Sequence, residues 1–199
     1  MKNKIIAISG MDATGKSTML LTVKNELERR KIPYIVTKQP SKYIKEWDCF
    51  KKILKNDSNE LDFKTIGGLI SWGRLNTQIC EIEPALKAGY CVICERYILD
   101  IIAWSRFRGA KQSWIESWIA PLFKADVSIL CDAEANVVLG RIKERQEGEK
   151  IGEDSLVNIS RVLSLYKKEA LNSDTIIIDT SRTLDELKER VYELMEVIM

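Results

Sequence analysis

Apolar positions along this chain follow two rhythms. Five short runs are apolar nearly throughout and rich in β-branched residues: KIIAIS at 4–9, YIVT at 34–37, YCVIC at 90–94, DVSILC at 126–131 and TIIID at 175–179. An unbroken apolar run of this length fits a strand covered by helices on both faces. Between the runs the spacing lengthens. Residues 16–31 put Leu20, Val23 and Leu27 on one face, and residues 184–198 repeat Leu184, Leu187, Val191, Leu194 and Ile198 at steps of three and four, which predicts amphipathic helices. The last helix opens with Thr183-x-x-Glu186, the signature of a capping box. Strands alternating with helices predict parallel pairing through right-handed crossovers. The expected fold is α/β, a doubly wound parallel sheet of five strands flanked by helices. No internal repeat or low-complexity linker divides the chain, so 1–199 is expected to form one domain.

The first strand runs into IIAISGMDATGKSTMLL, residues 5–21, where Gly10-x-x-x-x-Gly15-Lys16-Ser17 lies between a strand and a helix. That is the P-loop pattern in its required context. The glycines let the backbone curl until several N–H groups point inward, and the following helix adds its positive N-terminal end. Lys16 reaches the β- and γ-phosphates, and the Ser17 hydroxyl is placed to ligate Mg²⁺. Residues Gly10, Met11, Asp12, Ala13, Thr14, Gly15, Lys16, Ser17 and Thr18 are therefore expected to cradle a nucleoside triphosphate.

Composition narrows the chemistry. The 199 residues carry 31 basic and 29 acidic side chains, a net charge of +2, so nothing in the bulk charge points to nucleic acid, and anion binding must be local. There is no histidine, which excludes Ser-His-Asp and Cys-His catalysis. Cys91 and Cys94 form a C-x-x-C, but with no second pair and no histidine the usual zinc ligands are missing. Within an apolar strand they read as small core residues. No apolar stretch is long enough to cross a bilayer, and the first strand begins too early for a cleaved leader. The expectation is a cytoplasmic protein that does not engage membranes.

Three further clusters share the P-loop's side of the sheet. ERY, Glu95-Arg96-Tyr97, ends the third strand: a carboxylate there faces the same crevice and can hold Mg²⁺, and Arg96 is a bidentate phosphate clamp. TKQP at 37–40 puts Lys38 at the same edge. RIKERQEGEK at 141–150 carries Arg141, Lys143, Arg145 and Lys150, cations suited to a lid over about 141–154 that closes on the phosphates.

Together these segments resemble the thymidylate kinase family of P-loop nucleoside-monophosphate kinases, almost end to end. The resemblance rests on GMDATGKST with its acidic residue two places after the first glycine, on GRLNTQICEIEPALKAGYCVICERY at 73–97, on AWS at 103–105, and on the arginine-bearing lid and closing strand–helix pair. It implies ATP as donor, Mg²⁺, dTMP as acceptor and a homodimer; dUMP is expected to follow dTMP because Ile70 and Ser105 depart from the family's thymine contacts. Asp12 would hold the acceptor's 3′-hydroxyl, Lys38 and Arg96 its phosphate, and Arg74 the pyrimidine O4, while Ser17 and Glu95 would serve the metal. With Ala13 where one branch of the family carries a P-loop arginine, the lid must supply the catalytic cation, Arg145 first and Arg141 or Lys150 next. Arg141 is also assigned to the donor nucleotide. Departures cluster around the acceptor. Ile70 replaces a base-stacking aromatic, which Trp72 could take over or leave for the core; Asp100 brings a negative charge where serine is usual; Trp104 is expected against the sugar and Ser105 near the base.

Two rivals remain. A deoxynucleoside kinase must deprotonate a 5′-hydroxyl and needs a carboxylate just after the second strand, where this chain has Gln39. A non-catalytic nucleotide sensor would explain the altered acceptor positions but not the lid cations and intact P-loop.

Overall fold

The computed structural model of the chain describes residues 3–39, 41, 44, 46–48, 63–144 and 155–198. Five strands, β1 (Ile5–Ser9), β2 (Tyr34–Lys38), β3 (Cys91–Glu95), β4 (Val127–Asp132) and β5 (Thr175–Asp179), fall within one residue of the apolar runs. They form one sheet in the order β2-β3-β1-β4-β5, and every pairing is parallel. The helices are α1 (Lys16–Arg29), α2 (Phe63–Thr77), α3 (Glu83–Lys87), α4 (Ile98–Phe107), α5 (Gln112–Ile119), α6 (Ala135–Glu144), α7 (Leu156–Leu171) and α8 (Leu184–Ile198), with a π-helical turn at Gln78–Ile82 between α2 and α3.

The central strand shows why its run has no polar gap. Ile6 and Ile8 face a cluster with Met19, Val23 and Leu27 of α1 and Val191 and Met195 of α8. Ile5 and Ala7 face the other way, toward Ile82, Val92, Cys94 and Tyr97. A third cluster packs Leu99 and Ala103 of α4 and Val138 of α6 on Ile159, Val162, Leu163 and Tyr166 of α7. Alternate residues of a strand point to opposite faces, so both sets must be apolar. The same geometry settles the C-x-x-C. Cys91 and Cys94 are buried in β3, in clusters on opposite sides of the sheet, and burial pushes the Cys94 thiol up to about 11. They are core residues that do not share a site.

The predicted capping box is present. The Thr183 amide donates to Glu186 Oε2 at 3.0 Å, and the Glu186 amide donates to Thr183 Oγ1 at 3.4 Å. No helix among the described residues is long and apolar enough to cross a membrane. Because β1 lies between β3 and β4, the crossovers part on either side of it, and the carboxyl ends of β1, β3 and β4 open into one crevice where ligands bind in sheets of this kind.

Candidate functional site

The loop after β1 is built for close backbone approach. Gly10 has φ 143°, and a Cβ there would lie 2.7 Å from the Cys131 carbonyl oxygen. Gly15, the residue before α1, has φ 84°, and a Cβ on it would press the Thr180 side chain at 3.1 Å. Ala13 is held left-handed at φ 62°, a conformation that costs a non-glycine residue about 1–3 kcal/mol and tends to persist at functional sites. Thr14 Oγ1 donates to the Met11 carbonyl at 2.8 Å. The Thr180 hydroxyl donates to both the Thr14 and Asp132 carbonyls, at 2.7 and 2.8 Å, and so ties the loop to the ends of β4 and β5. Thr180 was not foreseen from the sequence, although its place directly after the last strand marks it as an edge residue.

Lys16 is buried and folds back over the loop, its Nζ donating to the Met11 carbonyl at 2.5 Å and standing 3.8 Å from Asp12. Burial, with the nearby Arg96 charge, lowers its pKa to about 8 against the pull of Asp12 and Asp100. Ser17 and Thr18 are exposed on the first turn of α1.

Arg96 is the hub of the crevice. Its backbone is left-handed at φ 68° and its amide donates to the Ile8 carbonyl. Its Nη2 donates to Asp12 Oδ1 at 2.5 Å, and its Nη1 donates to Asp100 Oδ1 at 3.1 Å and to the Gly10 carbonyl at 3.3 Å. Burial works against the guanidinium charge, but Asp100, Tyr166, Asp12 and Glu95 outweigh it and hold the pKa above its ordinary value. The structure thus brings Asp12, Lys16, Arg96 and Asp100 together. Asp100, expected as an odd negative charge facing the acceptor, is buried and engaged by Arg96, by the Tyr97 amide at 3.0 Å and by the Tyr166 hydroxyl at 2.7 Å. No local pattern pointed to Tyr166, which lies 66 residues away.

Arg74, on the last turn of α2, presents the sharpest polar anomaly. It is 4% exposed, yet its Nε and Nη1 find no hydrogen-bond partner among the described residues. Burial lowers its pKa to about 10, while Asp100 and Tyr166 act to raise it and Arg96 to lower it. A buried donor left unpaired costs about 1–3 kcal/mol, an expense that natural sites tolerate where a ligand completes the bonding. Gln39 Oε1 and Ser41 Oγ, just past the end of β2, are likewise buried without a partner among the described residues. Ile70 is half-buried one helical turn before Arg74, on the same side of α2.

Trp72 departs from both expectations. It is 52% exposed and packs on Trp47 with ring centroids 5.4 Å apart. Two residues from Arg74, it points to the far side of the helix, so it is neither a core tryptophan nor a stacking surface beside Arg74. Trp104 is half-buried on α4, edge-on to Phe107 at 5.7 Å with the Arg108 guanidinium over its ring. Ser105 is half-buried beside it.

Lys38 and Glu95, assigned from the sequence to phosphate and metal, lie opposite each other in the β2–β3 register and form an ion pair at 2.7 Å. Glu95 is buried and Lys38 exposed, so the lysine can swing away while the carboxylate stays. Arg141 lies on α6, its guanidinium donating to the Ala13 carbonyl at 3.3 Å and the Thr180 carbonyl at 2.9 Å, which sets it beside the P-loop. The lid assignments to Arg145 and Lys150 fall outside the described residues. Among the described residues no three His, Cys, Asp or Glu side chains gather as a metal cage. Mg²⁺ in kinase sites takes one or two protein oxygens and fills the rest with phosphates and water; the Ser17 hydroxyl and the Glu95 carboxylate are donors of that kind.

A glycine-bent loop opening a helix, a buried lysine over it, and the Arg96–Asp12 pair beside it at the switch point of a parallel sheet define a P-loop nucleotide-binding protein of the phosphotransferase class. The chain matches the family model described as thymidylate kinase over residues 8–191. A probable thymidylate kinase of Pyrobaculum aerophilum is 29% identical over 199 residues, covering 98% of this chain and 97% of its own length. One of Archaeoglobus fulgidus is 29% identical over 195 residues, 96% and 94% of the two chains. The thymidylate kinase of Neisseria meningitidis is 26% identical over 202 residues, 98% of each. The chain belongs to the thymidylate kinase family.

Proposed function

We propose that the protein transfers the γ-phosphate of ATP to dTMP, giving dTDP and ADP. The observation that carries this reading is the buried guanidinium of Arg74, with two donor nitrogens unpartnered among the described residues, within charge range of Arg96 and Asp100. A thymine O4 answers those donors, a 5′-phosphate answers Arg96, and a 3′-hydroxyl answers Asp12. In this reading Lys38 leaves Glu95 to reach the acceptor phosphate, Trp104 borders the sugar, and Ile70 and Ser105 border the base. Residues 10–18 hold the donor phosphates, with Arg141 on the donor side. Arg145 is our candidate for the cation that crosses the transferred group. Ser17 and Glu95 would hold Mg²⁺, which supplies charge to neutralise the β- and γ-phosphate oxygens.

Phosphoryl transfer asks the protein mainly for positioning and electrostatics. The acceptor phosphate oxygen is already anionic at neutral pH, so no general base is needed, and a buried Gln39 is compatible with that where a carboxylate is not required. This favours a monophosphate acceptor over a nucleoside. A homodimer in a cytoplasmic setting completes the proposal. The test is direct: ADP release from ATP should depend on dTMP, with dTDP appearing in equal amount, and ADP release indifferent to any monophosphate overturns it.

The depressed pKa of Lys16 sets a pH dependence. Below about 8 the free protein carries the ammonium; above it the charge over the phosphates is lost. The expected profile is a kcat/KM for ATP that falls about tenfold per pH unit above pH 8, because it reports the free enzyme. Bound phosphates favour the proton, so kcat should stay level to higher pH. Initial rates between pH 6.5 and 9.5 at low and saturating ATP check both.

A further inference from the structure

Asp100 sits on the first turn of α4 with only 2% of its side chain exposed, and three hydrogen bonds converge on its carboxylate. Oδ1 accepts from Arg96 Nη1 at 3.1 Å and from the Tyr166 hydroxyl at 2.7 Å, while Oδ2 accepts from the Tyr97 amide at 3.0 Å. We infer that Asp100 is a positioning residue for transfer: with Tyr166 locking it from α7, it holds the Arg96 guanidinium so that Nη2 faces the acceptor. The inference rests on the kinase reading above.

Arg96 leaves β3 through a left-handed backbone, and a long side chain starting there has several rotamers to lose. Nη1 is anchored twice, to Asp100 and to the Gly10 carbonyl, whereas among the described residues Nη2 meets the half-exposed carboxylate of Asp12. The anchored edge fixes the plane of the fork and leaves the other edge free to exchange Asp12 for a phosphate oxygen. A guanidinium works through that planar geometry more than through charge alone.

A plain helix cap does not account for the arrangement. The bond from the Tyr97 amide caps α4, and one oxygen suffices for that. The second oxygen is buried, accepts from Arg96, and takes in addition a hydroxyl from a fully buried tyrosine on a different helix. It also places a negative charge where the site must attract phosphates, a cost that makes sense only if orientation is the gain.

The experiment is steady-state kinetics on the full chain with ATP and dTMP, alongside thermal melts. Asp100→Asn should lower kcat by ~10- to 10²-fold, since misplacing a positioning group costs up to about 10²-fold. It should leave the KM for ATP within ~2-fold, because the donor's contacts are intact. Tyr166→Phe, which removes a single buried hydroxyl, should shift kcat in the same direction by less. Adding D100N to Arg96→Ala should lower kcat no further than R96A alone, since Asp100 acts through Arg96, and should raise the melting temperature by relieving an uncompensated carboxylate. Wild-type kcat in D100N, or losses that add in the double variant, overturns the inference; if D100N does not fold, wild-type kcat in Y166F does so. Wild-type protein that forms no dTDP overturns the kinase reading itself, a separate failure.

Discussion

Lys16→Ala should abolish useful transfer while leaving the fold intact. The Lys16 ammonium bonds to the Met11 carbonyl and, among the described residues, reaches no group outside the loop other than by charge. The loop's curvature instead comes from Gly10, Gly15 and the Thr180 bonds that tie Thr14 to β4. What disappears is the cation over the β- and γ-phosphates. Loss of one preorganised electrostatic donor costs ~10²- to 10³-fold in kcat, and a lysine that also binds the ground state should raise the KM for ATP as well. Removing a buried charge whose pKa is depressed by burial should not lower the melting temperature. Circular dichroism melts with coupled ADP-release rates check both halves. A folded variant with near-normal turnover contradicts the P-loop assignment.

Arg74→Met should make the protein more stable and less able to use its acceptor. Methionine is apolar, flexible and close in length, so it fills the space without the two donors that lack partners among the described residues. Relief of about 1–3 kcal/mol corresponds to a rise of roughly 2–4 °C per kcal/mol for a chain of this size. The same change removes the group that answers a pyrimidine O4, and kcat/KM for dTMP should fall roughly ten- to a hundred-fold, by the same unpaired-partner logic applied to the substrate. The KM for ATP should hold. A variant that is destabilised, or that keeps wild-type kcat/KM, shows that Arg74 is a structural residue whose donors are satisfied inside the protein.

How much of this could be read from the chain alone follows from how local each feature is. The β1–loop–α1 unit was legible because strand, glycines, lysine and helix are contiguous, and the five strands because burial on both faces leaves no polar gap. Glu95 and Arg96 were placed by their position at a strand's end. Beyond that the sequence ran short. The Lys38–Glu95 ion pair depends on β2 and β3 being neighbours in register, and strand order is not written in any one segment. Asp100 could be flagged as an odd charge, but its partners are Tyr166 on α7 and an arginine whose backbone turns left-handed, and neither fact has a local signature. Trp72 failed for a simpler reason: two residues along a helix is the wrong spacing to share a face with Arg74, and a single tryptophan gives no indication that another, Trp47, covers it.

The measurement that reaches the central claim most directly is the ratio of kcat/KM values across dTMP, dUMP, dCMP and dGMP, by coupled ADP release at saturating ATP. Cytosine presents an amino group where Arg74 needs an acceptor, so dTMP should exceed dCMP by roughly ten- to a hundred-fold. dUMP should follow dTMP closely, since Ile70 and Ser105 offer little that depends on the methyl group, and dGMP should be the poorest acceptor. A preference for dCMP or dGMP, or equal rates with all four, contradicts the assignment of Arg74 to a pyrimidine O4 and with it the account of the acceptor pocket.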